Sequence, residues 1–557
     1  MLITKLTNPI FTPFGCALVV VAISLSPIAS GQTKESQPER SAFSLNATSQ
    51  QTAFAGVEFR TPDGSNNNLT DPTLGSPFTV LRRIAPSDYA DGASAPAGAS
   101  RVSARVASNN IFAQSGSIDN NDNLTSMVWQ WGQFLDHDID LSEAVSLANG
   151  GIPFDILVPF GDPIFDPMNT GTAVINFTRA IAVDVNGVRE QENEITTWID
   201  GSNIYGSSQA QWDLLRTGSG GLMRQTAGGL LPLDANDPNG ELYIAGDARA
   251  NEQLGLLAMH TLFVREHNLT ARKYASRNPS LNDEQLFLMA RRRVIGILQR
   301  ITYEEFLPAL LGPNAIPAYT GYDSTVDPRI LNEFNTAAFR VGHTMLPGEL
   351  LRLNNDGTVA PEGNIPLRDA FFQPTEILQN GIDSILKGLT VQPAQEIDAK
   401  VIDDVRNFLF FNVPGQPPLG FDLAALNIQR GRDHGLADFN TVRTAYGLPA
   451  YTAFSDISSD ASVVAALTAT YSSVDDIDVW AGMLAEDHFP GAAVGTTLRA
   501  IMIEQFTNLR DGDRFWHEIV QDPAALTHTQ LSSPLSAVIM RNTGVRNVPH
   551  SAFLLNQ

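Results

Sequence analysis

The sequence predicts a mainly α-helical protein with long loops and little β-structure. Apolar residues recur at three- and four-residue spacing over several long segments, which is typical of helices that bury one face. Strand-like alternation of apolar and polar residues is scarce, and residues 172–183 are its best case. Residues 57–110 are rich in turn formers, as in TPDGSNNN and ASAPAGAS, and predict an ordered but loopy wrap. No long Pro-, Ser- or Gly-rich linker divides the interior, so we expect one large domain over residues 57–557.

The N-terminal segment has the layout of a secretory signal peptide over residues 1–31. Lys5 precedes an apolar run from 14 to 25, and small residues follow at 29–31. The run is too short for a transmembrane helix, which needs about 20 residues. We therefore expect a secreted or periplasmic protein.

Two features of the expected mature chain follow. Residues 32–56 are polar and rich in Ser and Gln, which predicts a flexible arm. Cys16 is the only cysteine, so an exported form would hold no disulfide and would depend on core packing and bound ligands. This suits a bacterial envelope or culture medium better than an animal secretory route.

The overall composition is that of a globular protein with ample material for a core. The chain has 557 residues, of which 43% are hydrophobic and 17% charged. The formal net charge of −24 repels nucleic acids and anionic membranes, so both are excluded as default partners.

Helical periodicity predicts the elements in chain order. The predicted helices cover residues 124–141, 251–274, 283–310, 327–341, 399–410, 438–446, 494–509 and 522–531.

The first of these helices contains WGQFLDHDID, residues 131–140, in which acids are crowded among bulky apolar residues. Gln133 and His137 are four apart and share a helix face, while Asp136 and Asp138 flank the histidine. Buried carboxylates must be paired, metal-bound or neutralised. His137 could be a metal ligand, a general base or part of a salt-bridged surface turn, and Asp140 has no evident task.

A loop-like stretch, NEITTWIDGSNIYGS at residues 193–207, has oxygen-bearing groups spaced by two. Thr196, Trp198, Asp200 and Ser202 could point their oxygens the same way in an extended loop, and Ca²⁺ prefers six to eight oxygen ligands. An ordinary turn is the alternative.

Charged groups also stand at the beginning of an apolar helix in AGDARANEQLGLLAMHTLFVREHN, residues 245–268. Arg249 and Glu252 lie at its start, where a glutamate is commonly a capping residue. His260 and His267, one heptad apart, are more typical of a core than of a ligand set.

Two further stretches carry a histidine or clustered charges. His343 follows a glycine in FRVGHTMLPGEL, residues 339–350, where a lone histidine is usually structural. LNIQRGRDHG, residues 426–435, is most simply an ion-pair network around Arg430.

Together and in this order, the five stretches resemble the peroxidase–cyclooxygenase superfamily, the haem peroxidases that include myeloperoxidase and lactoperoxidase. The similarity extends from RTPDGSNNN at residue 60, through PSDYADG at 86 and LRDGDRFW at 509, to RNTGVRNV at 541. It implies a single peroxidase domain of long helices around a buried haem.

This resemblance implies roles for residues on both sides of the haem. His137 is similar to the distal histidine, Gln133 to its neighbour in the distal cavity, and Arg249 to the distal arginine. His343 is similar to the proximal iron ligand, and Asn427 to the residue that holds the other ring nitrogen of that ligand.

Further residues match groups that bind the haem periphery. Arg340 and Arg430 match arginines near the propionates, and Asp136 and Glu252 match the carboxylates that become ester-linked to haem methyl groups. Gln253 stands where myeloperoxidase has the methionine of a sulfonium link, so that third bond should be absent and the enzyme a milder oxidant.

The resemblance also implies a calcium site made by Asp138, Thr196, the Trp198 carbonyl, Asp200 and Ser202. Esterified Asp136 and calcium-bound Asp138 would then leave His137 neutral, because bare carboxylates would raise its pKa.

The implied activity is that of a haem peroxidase with covalently modified haem b and Ca²⁺. Neutral His137 would move a proton between the two peroxide oxygens while Arg249 stabilises the developing charge. A ferryl intermediate would then oxidise halides, thiocyanate or small organic donors such as phenols.

Two alternatives stay open. A fatty-acid dioxygenase of the same superfamily would need a tyrosine three residues before His343, where Arg340 stands, and cyclooxygenases lack the calcium pattern. A calcium-dependent adhesion or matrix protein on a peroxidase fold is the other. The chain also departs from animal members in its cysteines, with Asn66 at one such position.

Overall fold

The computed structural model describes residues 58–411, 420–519 and 533–555. The predicted signal peptide, the predicted arm at 32–56, Cys16 and the predicted helix at 522–531 lie outside these residues. Within them, no helix combines the length and apolar character that a membrane span needs.

Helices dominate the described ranges. The α-helices are α1 Ala104–Ala107, α2 Met127–Ile139, α3 Ser202–Tyr205, α4 Gln209–Leu215, α5 Leu254–Arg277, α6 Asp283–Ile301, α7 Leu307–Leu311, α8 Asn332–Thr336, α9 Pro374–Asn380, α10 Asp383–Leu389, α11 Asp403–Arg406, α12 Leu423–Asp433, α13 Phe439–Ala445, α14 Ala461–Thr470, α15 Val479–Ala485, α16 Thr496–Asp511 and α17 Leu535–Asn542. The 3-10 helices are Leu147–Asn149, Ala248–Asn251, Ala338–His343, Leu367–Asp369, Phe454–Asp456 and Val474–Asp476, and π-helical turns cover Ser108–Phe112 and Thr302–Phe306.

The β-structure consists of short antiparallel pairs. The strands are β1 Thr79–Val80, β2 Ile156–Leu157, β3 Val174–Ile175, β4 Val183–Val185, β5 Val188–Glu190, β6 Glu192–Asn193, β7 Glu349–Leu350 and β8 Ile365–Pro366. They pair as β1 with β6, β2 with β3, β4 with β5 and β7 with β8. The mainly α prediction is confirmed, and the stretch 172–183 contains β3, isolated bridges at Thr178 and Ala180, and the first residue of β4.

The long helix α5 lies at the centre of the fold. It packs against α2, α6, α10 and α17, and most of its residues are buried on all sides. Such burial is typical of a helix inside a large core rather than at its surface. His260 and His267 both lie in this buried helix, as the sequence suggested.

Aromatic packing fixes α2 against α5. The Phe134 ring stacks on that of Phe263 with centroids 5.2 Å apart, and Trp131 meets Phe263 edge-on at 5.8 Å. These residues are buried, so the polar face of α2 is held in one rotation about its axis. That rotation decides where the acids and His137 point.

Two predicted helices are interrupted. The segment 327–341 forms α8 and then a 3-10 helix ending at His343, with the non-helical residue Ala337 between them. Only Asp403–Arg406 of the segment 399–410 is helical, because the backbone of Leu409 pairs with Phe421 in both directions. Helical periodicity reports a buried face but not such competing long-range pairing.

Candidate functional site

A cavity of about 1110 Å³ lies between α2, the beginning of α5 and the 3-10 helix Ala338–His343. Four of the five sequence stretches contribute lining residues, and only NEITTWIDGSNIYGS does not. One wall carries the residues from 133–140 and 247–253. The opposite wall carries His343, Asn427 and the two arginines Arg340 and Arg430.

On the α2 wall, His137 faces an aspartate that the sequence reading missed. Its Nδ1 lies 3.5 Å from Asp247 Oδ1, a long contact for a hydrogen bond. Asp247 accepts from the backbone N–H of Arg249 at 2.8 Å and from its guanidinium Nε and Nη2 at 2.9 and 2.8 Å. Asp247 is the N-cap of the 3-10 helix that carries Arg249, and an aspartate two residues before that arginine was the available signal.

The charge state of His137 has a different origin from the one we expected. Burial and the positive charge of Arg249 lower its pKa well below 6.5, and Asp247 opposes that shift. Asp136 and Asp138 are not among the groups that set it. The lowered pKa favours the neutral imidazole that we expected, and burial is its largest cause.

Asp136 and Glu252, the two carboxyls expected to form haem esters, line the cavity on the same wall as His137. Burial raises the pKa of Asp136, although Arg249 Nη1 lies 3.4 Å from its Oδ2. Burial also raises the pKa of Glu252 to about 7. The capping role considered for Glu252 falls to Gln253, whose side chain accepts from the Gly255 N–H.

Asp140 is part of the same electrostatic group. Its Oδ1 accepts from Asn335 Nδ2 at 2.9 Å, and its carbonyl accepts from Arg249 at 2.9 Å. Burial and the neighbouring Asp136 raise the pKa of Asp140 well above its ordinary value. Two buried like charges disfavour each other, so the neighbourhood of Asp136 and Asp140 favours protonation of this pair.

On the opposite wall, an asparagine holds His343. The Asn427 side-chain nitrogen lies 2.7 Å from His343 Nδ1, and the Asn427 oxygen accepts from Arg340 at 3.2 Å. Burial and the Arg340 charge lower the pKa of His343 to about 3. The imidazole is therefore neutral and can act as a metal ligand.

Two buried guanidinium groups flank His343 and Asn427. Arg430 pairs with Asp433 at 2.9 Å and stacks on Phe177 at 4.1 Å, and burial lowers its pKa to about 10. Arg340 has no carboxylate within ion-pairing distance among the residues that the structure describes. A cation without an ion-pair partner, such as Arg340, suits an anionic group inside the cavity.

The stretch NEITTWIDGSNIYGS, residues 193–207, meets α2 on its other side, away from the cavity. Asp138 accepts from the Gly201 N–H at 3.2 Å, and its carbonyl accepts from Ser202 Oγ at 2.7 Å. Asp200 accepts from Thr196 Oγ1 and from the Ser202 N–H, both at 3.1 Å.

The electrostatics around Asp138 and Asp200 favour a hard cation. Both carboxylates are buried, and among the described residues Asp138 Oδ1 has no hydrogen-bond partner. Burial and the Asp200 charge raise the pKa of Asp138 to about 8. Arg291 approaches Asp200 at 3.4 Å. Carboxylate oxygens are among the six to eight oxygen ligands that Ca²⁺ takes.

Packing of Trp198 keeps this loop in place. Its indole lies over Gly64 and Gly75, and a Cβ at either glycine would fall 2.8 Å from the ring. Both glycines also have positive φ, so another residue would be strained as well as crowded.

Comparisons with known proteins identify the family of this chain. A family model described as animal haem peroxidase matches residues 59–553. Peroxinectin A of Dictyostelium discoideum is 39% identical over 487 residues, which cover 83% of this chain and 89% of that protein. The solved structure of Peroxidase A from Dictyostelium discoideum matches with a TM-score of 0.82 and 36% identity, over 89% of this chain and 100% of that one.

A fatty acid alpha-dioxygenase from Arabidopsis thaliana is a more distant structural neighbour. Its TM-score is 0.76 at 21% identity, over 89% of this chain and 83% of that one. At this identity the likeness concerns the fold alone.

Proposed function

Because the chain belongs to the animal haem peroxidase family, we propose that its cavity holds haem between His343 and His137. It is a haem peroxidase, with hydrogen peroxide and small electron donors as its substrates. The observation that supports this assignment is that one cavity carries a neutral histidine on each of two opposite walls, His137 on one and His343 on the other.

His343 would be the iron ligand through Nε2. A ligand of this kind carries its proton on Nδ1, and Asn427 must then accept from it. We expect the Asn427 side-chain amide to rotate by about 180° when iron binds, so that its oxygen faces His343. Arg340 would then lose its hydrogen bond to that oxygen. Arg340 and Arg430 would then face the haem propionates.

Bound haem supplies the redox-active iron at which peroxide is reduced. The approach of Asp247 to Nδ1 favours a proton on that nitrogen, so Nε2 of neutral His137 is left to accept one. His137 would take the proton from the inner peroxide oxygen and return it to the outer one. Arg249, held by Asp247, would stabilise the negative charge that develops as the O–O bond breaks.

Asp136 and Glu252 are proposed as the carboxyls that form esters with haem methyl groups. Both line the cavity and have raised pKa values, so a neutral ester is compatible with their burial. Gln253 offers no sulfur for a third bond.

Asp138, Thr196, Trp198, Asp200 and Ser202 are proposed as a calcium site that supports α2 from behind. Halides, thiocyanate and phenols are the proposed donors. The N-terminal segment supports a proposed secreted or periplasmic location.

Replacement of His343 tests the haem assignment. His343→Ala should remove the native Soret spectrum and most of the peroxide-dependent oxidation of a dye, because the proposed iron ligand is lost. His550→Ala, an exposed histidine, is the matched control and should leave both unchanged. A native spectrum with full activity in His343→Ala would contradict the assignment.

Acidified acetone tests the esters. After turnover with peroxide, haem should stay with the wild-type protein and be released in part by Asp136→Ala or Glu252→Ala, since each variant removes one proposed link. Complete release from the wild type would exclude both bonds.

A fatty-acid dioxygenase is the second candidate, favoured only by the shared fold. Arg340 occupies the position where the required tyrosine would stand, which counts against it. Oxygen uptake with a fatty acid in the absence of peroxide would support this candidate. No observation favours an adhesion or matrix role.

A further inference from the structure

Gln253 is the centre of three linked side-chain amides beside the cavity. Its Oε1 accepts from the backbone N–H of Gly255 at 2.6 Å. A backbone N–H can only donate, so the atom facing it must be the amide oxygen. The other end of Gln253 is therefore its NH₂ group.

The direction of this amide fixes two more. Gln253 Nε2 donates to Gln130 Oε1 at 2.6 Å and to Gln133 Oε1 at 3.0 Å. Both of its hydrogens are used. The carbonyl end of Gln133 thus faces Gln253, and its NH₂ end is left to the cavity that Gln133 lines.

Local packing holds the central amide. Gln253 is 3% exposed, Gln130 is fully buried, and the Gln253 backbone bridges to Phe371. Gly255 permits the close approach, because a Cβ there would fall 2.2 Å from Gln130 Oε1. Rotation of Gln253 would break three hydrogen bonds of a side chain that is almost fully buried, so the orientation is strongly determined.

We propose that Gln253 is a positioning residue that makes Gln133 present N–H donors, rather than a carbonyl, to the space beside His137. This inference rests on the proposed function, because it gives Gln133 its place in the peroxide-binding part of the cavity. Donors at this point favour an anionic or oxygen-bearing molecule over a cationic one.

Fluoride bound to the ferric holoenzyme is a suitable probe. It is a small anion whose affinity and charge-transfer absorption band both respond to hydrogen-bond donors around it. The wild type is compared with Gln253→Glu, which keeps the acceptor for Gly255 but has no amide N–H, and with Gln253→Leu.

We expect fluoride to bind about 10- to 100-fold more weakly in both variants, with a shifted band, because a donor to a charged group is lost. Gln133→Leu should show the same loss. The double variant Gln133→Leu/Gln253→Glu should be no weaker than either single one, since both act through one amide.

Gln130→Leu is the matched control. It removes the other acceptor of the same NH₂ group, whereas Gln253 still donates to Gln133, so fluoride affinity should stay within about twofold of the wild type. This residue belongs to the same buried network but does not line the cavity.

Unchanged fluoride affinity and band in Gln253→Glu and Gln253→Leu would overturn the positioning role. An equal loss in Gln130→Leu would also overturn it, because the effect would then be one of packing. Absence of a Soret band in the wild type would instead mean that the proposed function has failed, so the two failures are distinguishable.

Discussion

The charge on His137 is controlled by residues outside its own sequence motif. Burial and Arg249 lower the pKa of the imidazole, and Asp247 partly restores it. Asp247 lies in the stretch 245–268, in which the sequence drew attention to Arg249, Glu252, His260 and His267 but not to this aspartate. Its role is visible only in three dimensions, because it depends on the distance between α2 and the beginning of α5.

The pH profile of the peroxide reaction tests this control. A lowered pKa keeps His137 neutral, so the second-order rate constant from stopped flow should be flat through neutral pH and fall only well below 6.5. Asp247→Asn should reduce the constant at pH 7 at least roughly tenfold, since Arg249 loses its acceptor. Its acid limb should move to lower pH, because the charge that raises the pKa is gone.

Asp213→Asn, at an exposed acid on the rim of the cavity, is the matched control and should match the wild type. A wild-type midpoint at or above pH 6.5 would contradict the neutral-base assignment.

At the level of elements, α2 contributes side chains to two separate sites, the cavity and the loop that contains Asp200. Asp136 and His137 face the cavity, whereas Asp138 faces the loop with Asp200. Successive residues on a helix project about 100° apart, so Asp136 and Asp138 point in different directions. The helical conformation therefore separates side chains that are adjacent in the sequence.

Calcium removal tests the proposed calcium site between α2 and the loop that contains Asp200. Exhaustive chelation should lower the melting temperature, since a cation bound at 100 times its dissociation constant stabilises a fold by about 2.7 kcal/mol. The raised pKa of Asp138, about 8, means that the calcium-free fold binds a proton that the unfolded chain does not. Stability without calcium should therefore decline as pH rises from about 4 to about 8, and added calcium should restore it.

Asp138→Asn removes one of the two facing carboxylates. It should bind calcium more weakly and show a smaller pH dependence than the chelated wild type. An unchanged melting temperature after chelation, with no metal found by elemental analysis, would count against the site.

The helical elements were predictable where periodicity alone decides them. The bounds of α2 and α5 lie within three residues of the predicted ones, because each has a long apolar face. The segments at 327–341 and 399–410 failed, because non-local backbone pairing and a 3-10 turn decide them. The site residues came from the resemblance rather than from spacing, since four separate segments form the cavity.

On the scale of the whole molecule, each end of the described chain is fastened to a segment distant in sequence. Arg60 pairs with Asp513, and Arg514 pairs with Glu58 at 2.6 Å. Near the C-terminus, Leu124 bridges to Leu554. Such long-range pairs close the fold around the cavity, and the described residues contain no cysteine that could do so.

The net charge of −24 predicts how donors approach. An anion such as thiocyanate is repelled, so its kcat/KM should rise by roughly two- to tenfold as sodium sulfate screens the field. A neutral phenol should show little change under the same conditions and serves as the control. A fall for thiocyanate would mean that a local positive patch, not the net charge, governs its approach.

The rotation of α2 has a consequence for how the chain can change in length. Loss or gain of one residue between Trp131 and Asp136 would turn everything after it by about 100°. Asp136, His137 and Asp138 would all leave their places together, whereas a substitution affects only one of them. An insertion or deletion in this part of the helix should therefore be more damaging than a substitution of any one of these three residues, and more damaging than a change of length in the loops between the short strand pairs.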